Sequence, residues 1–283
     1  MGVLFASLSA VLYSLWFLFS KISVNKTKDP IAAVVVFQVL AGLLFLPLSL
    51  FDTPKADINA DSVLLTVAAI LCYTFFNVLG FKSFKYLDVS VAGILSQTTV
   101  IVTFIGGLIV FNEDATSMKV IGVLLVILGN VIIHINSDAD TKVKMKGVIL
   151  RLAASLMLAL GILIDAKNLE NFSIPVYGFL TYLIPGLISY IFIVKSFDKI
   201  KADFSPNKLL FLVMSAMATS GYYFLLKSFT TDLDKTIAAP INSSSSMLVV
   251  IWGIIFLKET DKLPQKIIAG IIVFLGVVLL GIA

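Results

Sequence analysis

The stretch LDVSVA (Leu87 to Ala92) returns 146 residues later as LDKTIA (Leu233 to Ala238), and each copy stands at the head of a long apolar run. The same offset puts Gly107 on Gly253 and Glu113 on Glu259. Farther upstream the offset is 145: Gly2 meets Gly147, Pro30 meets Pro175, and the KSF at Lys82 meets the KSF at Lys227. Downstream, Gly129 meets Gly276. A match this extended marks an internal duplication, with residues 1–137 as the first copy and 138–283 as the second.

Both copies are membrane sequence. The chain has 283 residues, 59% of them hydrophobic and 13% charged, with a mean hydropathy of +1.05, whereas charged residues make up about a quarter of a soluble domain. A helix needs about 20 apolar residues to cross the hydrocarbon core. Ten windows qualify: 3–20, 31–51, 62–81, 89–111, 120–137, 147–164, 175–194, 209–226, 236–257 and 267–283. The fifth ends near His134, and the sixth carries Arg151 one turn in, from where its long side chain is expected to snorkel to the headgroups. The windows are continuous rather than alternating, so membrane strands are excluded. The first window lacks a basic leader and a cleavage site and is expected to be a retained helix.

Five spans per copy is an odd number, so the second copy enters the bilayer from the opposite side. Counting Lys and Arg, loops 1-2, 2-3, 3-4 and 4-5 carry 3, 1, 2 and 1, while their counterparts in the second copy carry 1, 4, 2 and 3. Charge changes sides in three of the four pairs, as inverted insertion requires. The expected fold is therefore an all-α membrane protein of ten transmembrane helices in a 5+5 inverted repeat, a recurring design among transporters. Odd-numbered loops hold 16 positive residues and even-numbered loops 5, which puts both termini outside.

Ten spans in two repeats, a tryptophan in the first helix (Trp16), and fourth and ninth helices closing on FNE (Phe111 to Glu113) and LKE (Leu257 to Glu259) resemble the EamA-like branch of the drug/metabolite transporter superfamily. The resemblance covers nearly the whole chain. It implies secondary transport, in many members export of amino acids or other small metabolites. It also implies a central cavity lined by helices 1 to 4 and 6 to 9, with helices 5 and 10 outside. The family pattern has Gly before the acidic residue and Pro about thirteen residues earlier; here those places hold Asn112 and Lys258, and Val100 and Ser246. The family also tends to keep its termini in the cytoplasm, opposite to the charge count, which is followed here.

Residues three, four and seven apart share a helix face. In the ninth span Asn242, Ser245 and Ser246 form such a stripe, and their mates in the fourth are Ser96, Thr99 and Val100, with Thr103 one turn on and Gln97 beside them. An unpaired polar group facing lipid costs free energy, so the stripes should face the interior. The first span adds Ser9, Tyr13, Trp16 and Ser20, and the third Tyr73, Asn77 and Gly80. Gln38, Thr181, Tyr182 and Tyr222 complete the candidate solute site, and Pro240 is expected to start the ninth helix or free a carbonyl toward it. Serine and threonine also sit where membrane helices pack closely, and often bond their own backbone. Gly122, Gly129 and Gly276 are read as close-packing positions in the outer helices. Asp88 with Ser90, and Asp234 with Thr236, are expected N-cap pairs, while Glu113 and Glu259 are expected to face the start of the following helix. Asp165, without a capping task, is a candidate proton or substrate-ammonium site.

A net charge of +4 without a basic cluster interleaved with aromatics points away from nucleic acid. One His and one Cys, Cys72, offer no metal cluster or disulfide, and no cofactor is implied. An enzyme would need a nucleophile with its base or a carboxylate pair, and the spans hold neither. The expected function is a secondary transporter, exporter or exchanger, of a small metabolite such as an amino acid, working as a monomer in the cell membrane with the solute and the bilayer as partners. A channel or lipid-handling protein is the alternative.

Overall fold

The computed structural model describes residues 1–110, 116–132, 141–231, 241–242 and 245–282. Glu113, His134, the Asp234 to Thr236 cap and Pro240 lie outside them. The longer helices are α1 (Gly2–Lys26), α2 (Pro30–Leu44), α3 (Ala60–Ser83), α4 (Val89–Ser96), α5 (Thr98–Val110), α6 (Ser117–Ile132), α7 (Thr141–Asn168), α8 (Ile174–Ser189), α9 (Phe197–Phe204), α10 (Lys208–Phe229), α11 (Ser245–Leu257) and α12 (Leu263–Ile282). Among the described residues, seven helical segments are long and apolar enough to cross a membrane. Three shorter apolar helices, Ser117–Gly129, Ser245–Leu257 and Leu263–Leu279, fall in the fifth, ninth and tenth windows. Leu64, Ile109, Phe192 and Leu209 point outward with more than two thirds of their surface exposed. Apolar exposure on that scale is compatible with lipid rather than water.

The sequence sets the helix starts. Asp29 accepts the Ile31 N–H at 2.9 Å ahead of Pro30, and Asn59 with Ser62 forms a reciprocal capping box at α3. The main helix pairs are α1 with α10, α3 with α7, α2 with α8, α4 with α11 and α6 with α12. Glycines permit the close ones: a Cβ on Gly276 would stand 2.6 Å from the Gly122 carbonyl oxygen, and one on Gly129 would stand 2.3 Å from Val273. The loops join across the repeats at both ends. Lys55 and Ser173 pair through backbone and hydroxyl, with Ser173 N–H on the Lys55 carbonyl at 2.9 Å. At the opposite end the buried Asp203 carboxylate accepts the backbone N–H of Lys28 at 3.0 Å and Asp29 at 3.1 Å.

Several expectations need correction. The fourth span is not one helix: Gln97 breaks it, its N–H bonding Ile94 and its carbonyl accepting from Val100 in tight three-residue turns. Loop 7-8 contains the amphipathic α9, too charged for a hydropathy window to reveal. Arg151 does not snorkel. It is 1% exposed, donates to the Gly80 carbonyl at 3.0 Å, and lies over Phe17 and Phe84, with 5.0 and 4.4 Å to the ring centroids. The helix begins well before Arg151, at Thr141, and α1 and α3 cover it. It therefore leaves the tally of loop charges, without reversing the bias.

Asp88 makes no side-chain cap; its carboxylate pairs instead with Lys266 at 2.8 Å. Glu259 does not face the following helix but caps α4, accepting from Val89 N–H at 2.7 Å, Ser90 N–H at 3.0 Å and the Ser90 hydroxyl at 2.6 Å. The end of α11 lies beside the start of α4, whose unpaired N–H groups and positive dipole end attract a carboxylate. Lys258 reverses the chain there at φ 54°, in the left-handed region that glycine occupies without strain. A Cβ on Gly253 would stand 2.8 Å from the Glu259 carboxylate, so the repeated glycine makes room for the cap.

Candidate functional site

A partly open cavity lies among α1, α3, α4, α5, α7, α8, α10 and α11. Its wall includes Tyr13 and Trp16 from α1, and Tyr73 and Asn77 from α3. Ser96, Gln97 and Thr99 come from the break between α4 and α5, Thr181 and Tyr182 from α8, and Tyr222 from α10. Asn242, Ser245 and Ser246 close the side formed by the ninth span. Phe17, Phe76, Leu158, Ile162, Leu225 and Val249 fill the wall between these polar groups. These apolar positions carry no signal that separates them from ordinary core in the sequence. Neither α6 nor α12 contributes a lining residue, and neither does α2.

Gln38 is therefore not on the cavity. It is fully buried against α8, where Gly186 leaves space, and both its amide oxygen and nitrogen lack a hydrogen-bond partner among the described residues. Val100 and Ser20 are also buried off the wall; the Ser20 hydroxyl bonds back to the Trp16 carbonyl at 2.8 Å. Ser9 reaches the wall indirectly, its hydroxyl lying 2.7 Å from the Gly221 carbonyl and 2.8 Å from the amide oxygen of Asn242.

The polar groups on the wall divide into two kinds. Some are satisfied by their own helices: Ser96 donates to the Ala92 carbonyl at 2.7 Å, and Thr181 to that of Tyr177 at 2.8 Å. Thr99 donates to the Ser155 carbonyl at 3.2 Å and ties α5 to α7. Others are left open. The Trp16 indole Nε1, the Asn77 and Gln97 amide oxygens and the Ser246 hydroxyl are buried and have no partner among the described residues. Leaving such groups unpaired costs roughly 1–3 kcal/mol each, so side chains that line the cavity keep two acceptors, one donor and one hydroxyl in want of partners.

Beyond Trp16 and Phe17, toward Lys26 and Ser83, aromatic rings pack on one another. Trp16 packs on Phe37 with ring centroids 5.7 Å apart, Phe37 stacks on Phe81 at 5.8 Å, and Phe17 meets Phe84 edge-on at 5.1 Å. Behind this layer sits Arg151, and Lys21 donates to the Phe84 and Leu87 carbonyls at 2.6 and 2.8 Å. Toward the other end the fully buried Asp165 lies just behind the wall. It accepts hydrogen bonds from the hydroxyls of Tyr73, Tyr177 (2.8 Å) and Tyr222 (2.9 Å). Tyr177 was not legible as a partner; it stands one turn into α8, across the short connection that follows α7. Among the described residues no group of His, Cys, Asp and Glu suits a metal ion.

The family model of the EamA-like transporter family matches residues 1–135 and 145–282. Among solved structures 27 chains match. One of them, a protein crystal structure, superposes with a TM-score of 0.66 at 12% identity over 97% of this chain and 95% of its own, a likeness of fold. The curated proteins gave no match.

Proposed function

We propose, on the premise that the chain belongs to the EamA-like transporter family, that it carries a small zwitterionic or neutral metabolite such as an amino acid across the cell membrane. Transport proceeds by alternating access between two inverted five-helix repeats, as an exporter or exchanger with its termini outside. The observation that carries this reading is a cavity whose lining residues Trp16, Asn77, Gln97 and Ser246 each keep a buried polar atom, Nε1, Oδ1, Oε1 and Oγ in turn, unpaired among the described residues. They favour a solute that both donates and accepts, with aromatic rings to cover its apolar part.

The helix pairing supports the inverted repeat. Exchanging each span for its counterpart five places on turns the α1–α10 pair into α7–α3, and leaves α2–α8, the α4–α11 pair and α6–α12 as they are. Such self-consistency is what a two-fold axis in the membrane plane produces. Both repeats contribute cavity walls, so a rocking of one against the other opens the cavity to either side in turn.

The test is counterflow of labelled amino acids into proteoliposomes preloaded with unlabelled solute. Saturable counterflow of at least one amino acid is the expected result, and Asn242→Leu should abolish it while leaving the protein folded. Absence of counterflow across the whole set would remove the amino-acid reading, and an unaltered Asn242→Leu would remove the assigned site. Conductance without saturation would identify a channel instead.

A further inference from the structure

The cluster around Asp165 has features that solute recognition does not use. Its carboxylate is fully buried and joins four helices: its own α7, then α3 through Tyr73, α8 through Tyr177 and α10 through Tyr222. One of those helices belongs to the first repeat and three to the second. The titratable groups facing it are Tyr73 and Cys72 from α3, Tyr177 and Tyr182 from α8, Tyr222 from α10 and Tyr13 from α1. The flanking α4 and α5 carry no titratable side chain. Among the described residues no cation stands with these groups, and the hydrogen bonds to the carboxylate come from phenols. A charge held in this way can be neutralised without stranding an ionic partner.

Two of the three donors, Tyr73 and Tyr222, also form part of the cavity wall. Each phenol can therefore hand its proton to the carboxylate while its oxygen takes one from a hydronium ion in the cavity. In net terms a hydronium ion and a carboxylate become water and a carboxylic acid, with no bond changed except O–H. The neutral acid accepts more weakly than the carboxylate, because hydrogen bonds to an ionised acceptor are roughly twice as strong. Proton uptake thus loosens α3 from the second repeat, at the interface that must shift when the repeats rock. We propose that Asp165, gated by Tyr73 and Tyr222, is a proton-binding site that couples proton movement to solute movement through this transporter. The coupling rests on the transport function proposed above; the site itself does not.

Two measurements test it separately. Infrared difference spectra of the protein in lipid, titrated from about pH 4 to about pH 10, need no solute. A protonated-carboxyl band that titrates in the wild type and vanishes in Asp165→Asn supports the site; no Asp165-dependent band in that range overturns it. Should Asp165→Asn fail to fold, Tyr73→Phe and Tyr222→Phe serve instead. A displaced titration midpoint in either supports the site, and unaltered midpoints in both overturn it.

The second measurement uses proteoliposomes loaded with a pH-sensitive dye and given an equimolar mixture of the twenty proteinogenic amino acids. For each proton coupled, a gradient of about one pH unit should support about tenfold accumulation, with a matching dye signal. Asp165→Asn should lose that accumulation but keep exchange. Wild-type exchange that ignores the pH gradient overturns the coupling, and so does a folded Asp165→Asn protein that loses exchange together with accumulation. No exchange in the wild type would instead remove the transport reading and leave the infrared result standing.

Discussion

Gln38 and Asn77 are both buried amides in apolar helices, yet they differ in what surrounds them. Asn77 donates to the Tyr73 carbonyl at 2.9 Å and lines the cavity, its amide oxygen unpaired among the described residues. Gln38 is enclosed between α2 and α8 with neither amide atom paired among the described residues. A buried amide without partners costs more than an apolar group of the same shape. Gln38→Met should therefore raise stability by about 1 kcal/mol, read from the melting temperature in detergent, and leave solute affinity unchanged. A loss of affinity in that variant would show that Gln38 enters the cavity in another state of the transport cycle. In the sequence the two amides look alike, each a polar residue in an apolar window. Helical periodicity tells which residues share a face, but not whether that face meets a cavity or a neighbouring helix. The stripe Asn242, Ser245 and Ser246 was legible because its mates Ser96 and Thr99 repeat it in the other half.

At the scale of elements, α4 depends on a residue 170 positions away in the chain. Its N-terminal N–H groups are held by Glu259, which the left-handed turn at Lys258 and the bare Gly253 bring into place. Three hydrogen bonds to one carboxylate make this cap stronger than a local one. Glu259→Ala should destabilise the protein by about 2 kcal/mol, and Ser90→Ala in the same background should add little, since the two share an interaction. Additive losses would show that the cap contributes no coupling between α4 and α11. The repeated acidic residue was visible in the sequence, and so was the glycine before it. Its partner was not, because a helix end facing a distant helix start is a tertiary relation that spacing along the chain does not encode. The break at Gln97 was hidden for a similar reason: no Pro or Gly marks it, and only the tight turns on either side reveal it.

At the scale of the whole molecule, the all-helical membrane outline was legible in hydropathy, and the two family-matching halves in the duplication. Those signals are global and survive local departures such as α9 or the buried Arg151. The cavity follows from the fold rather than from any one motif: where α1, α3, α4 and α5 meet α7, α8, α10 and α11, side chains leave a space lined in part by residues with unpaired polar atoms. Its apolar wall, from Phe17 to Val249, was unreadable because core and cavity draw on the same residues.

The central claim is that this space opens to the two sides of the membrane in turn. Ser96, half-buried on its wall, reports on that directly when replaced by Ser96→Cys in a Cys72→Ala background. Membrane-impermeant thiol reagents should label the cysteine from either side in oriented vesicles, with amino acid in the cavity slowing both reactions. Labelling from one side alone, unaffected by solute, would show a static cleft and contradict the account.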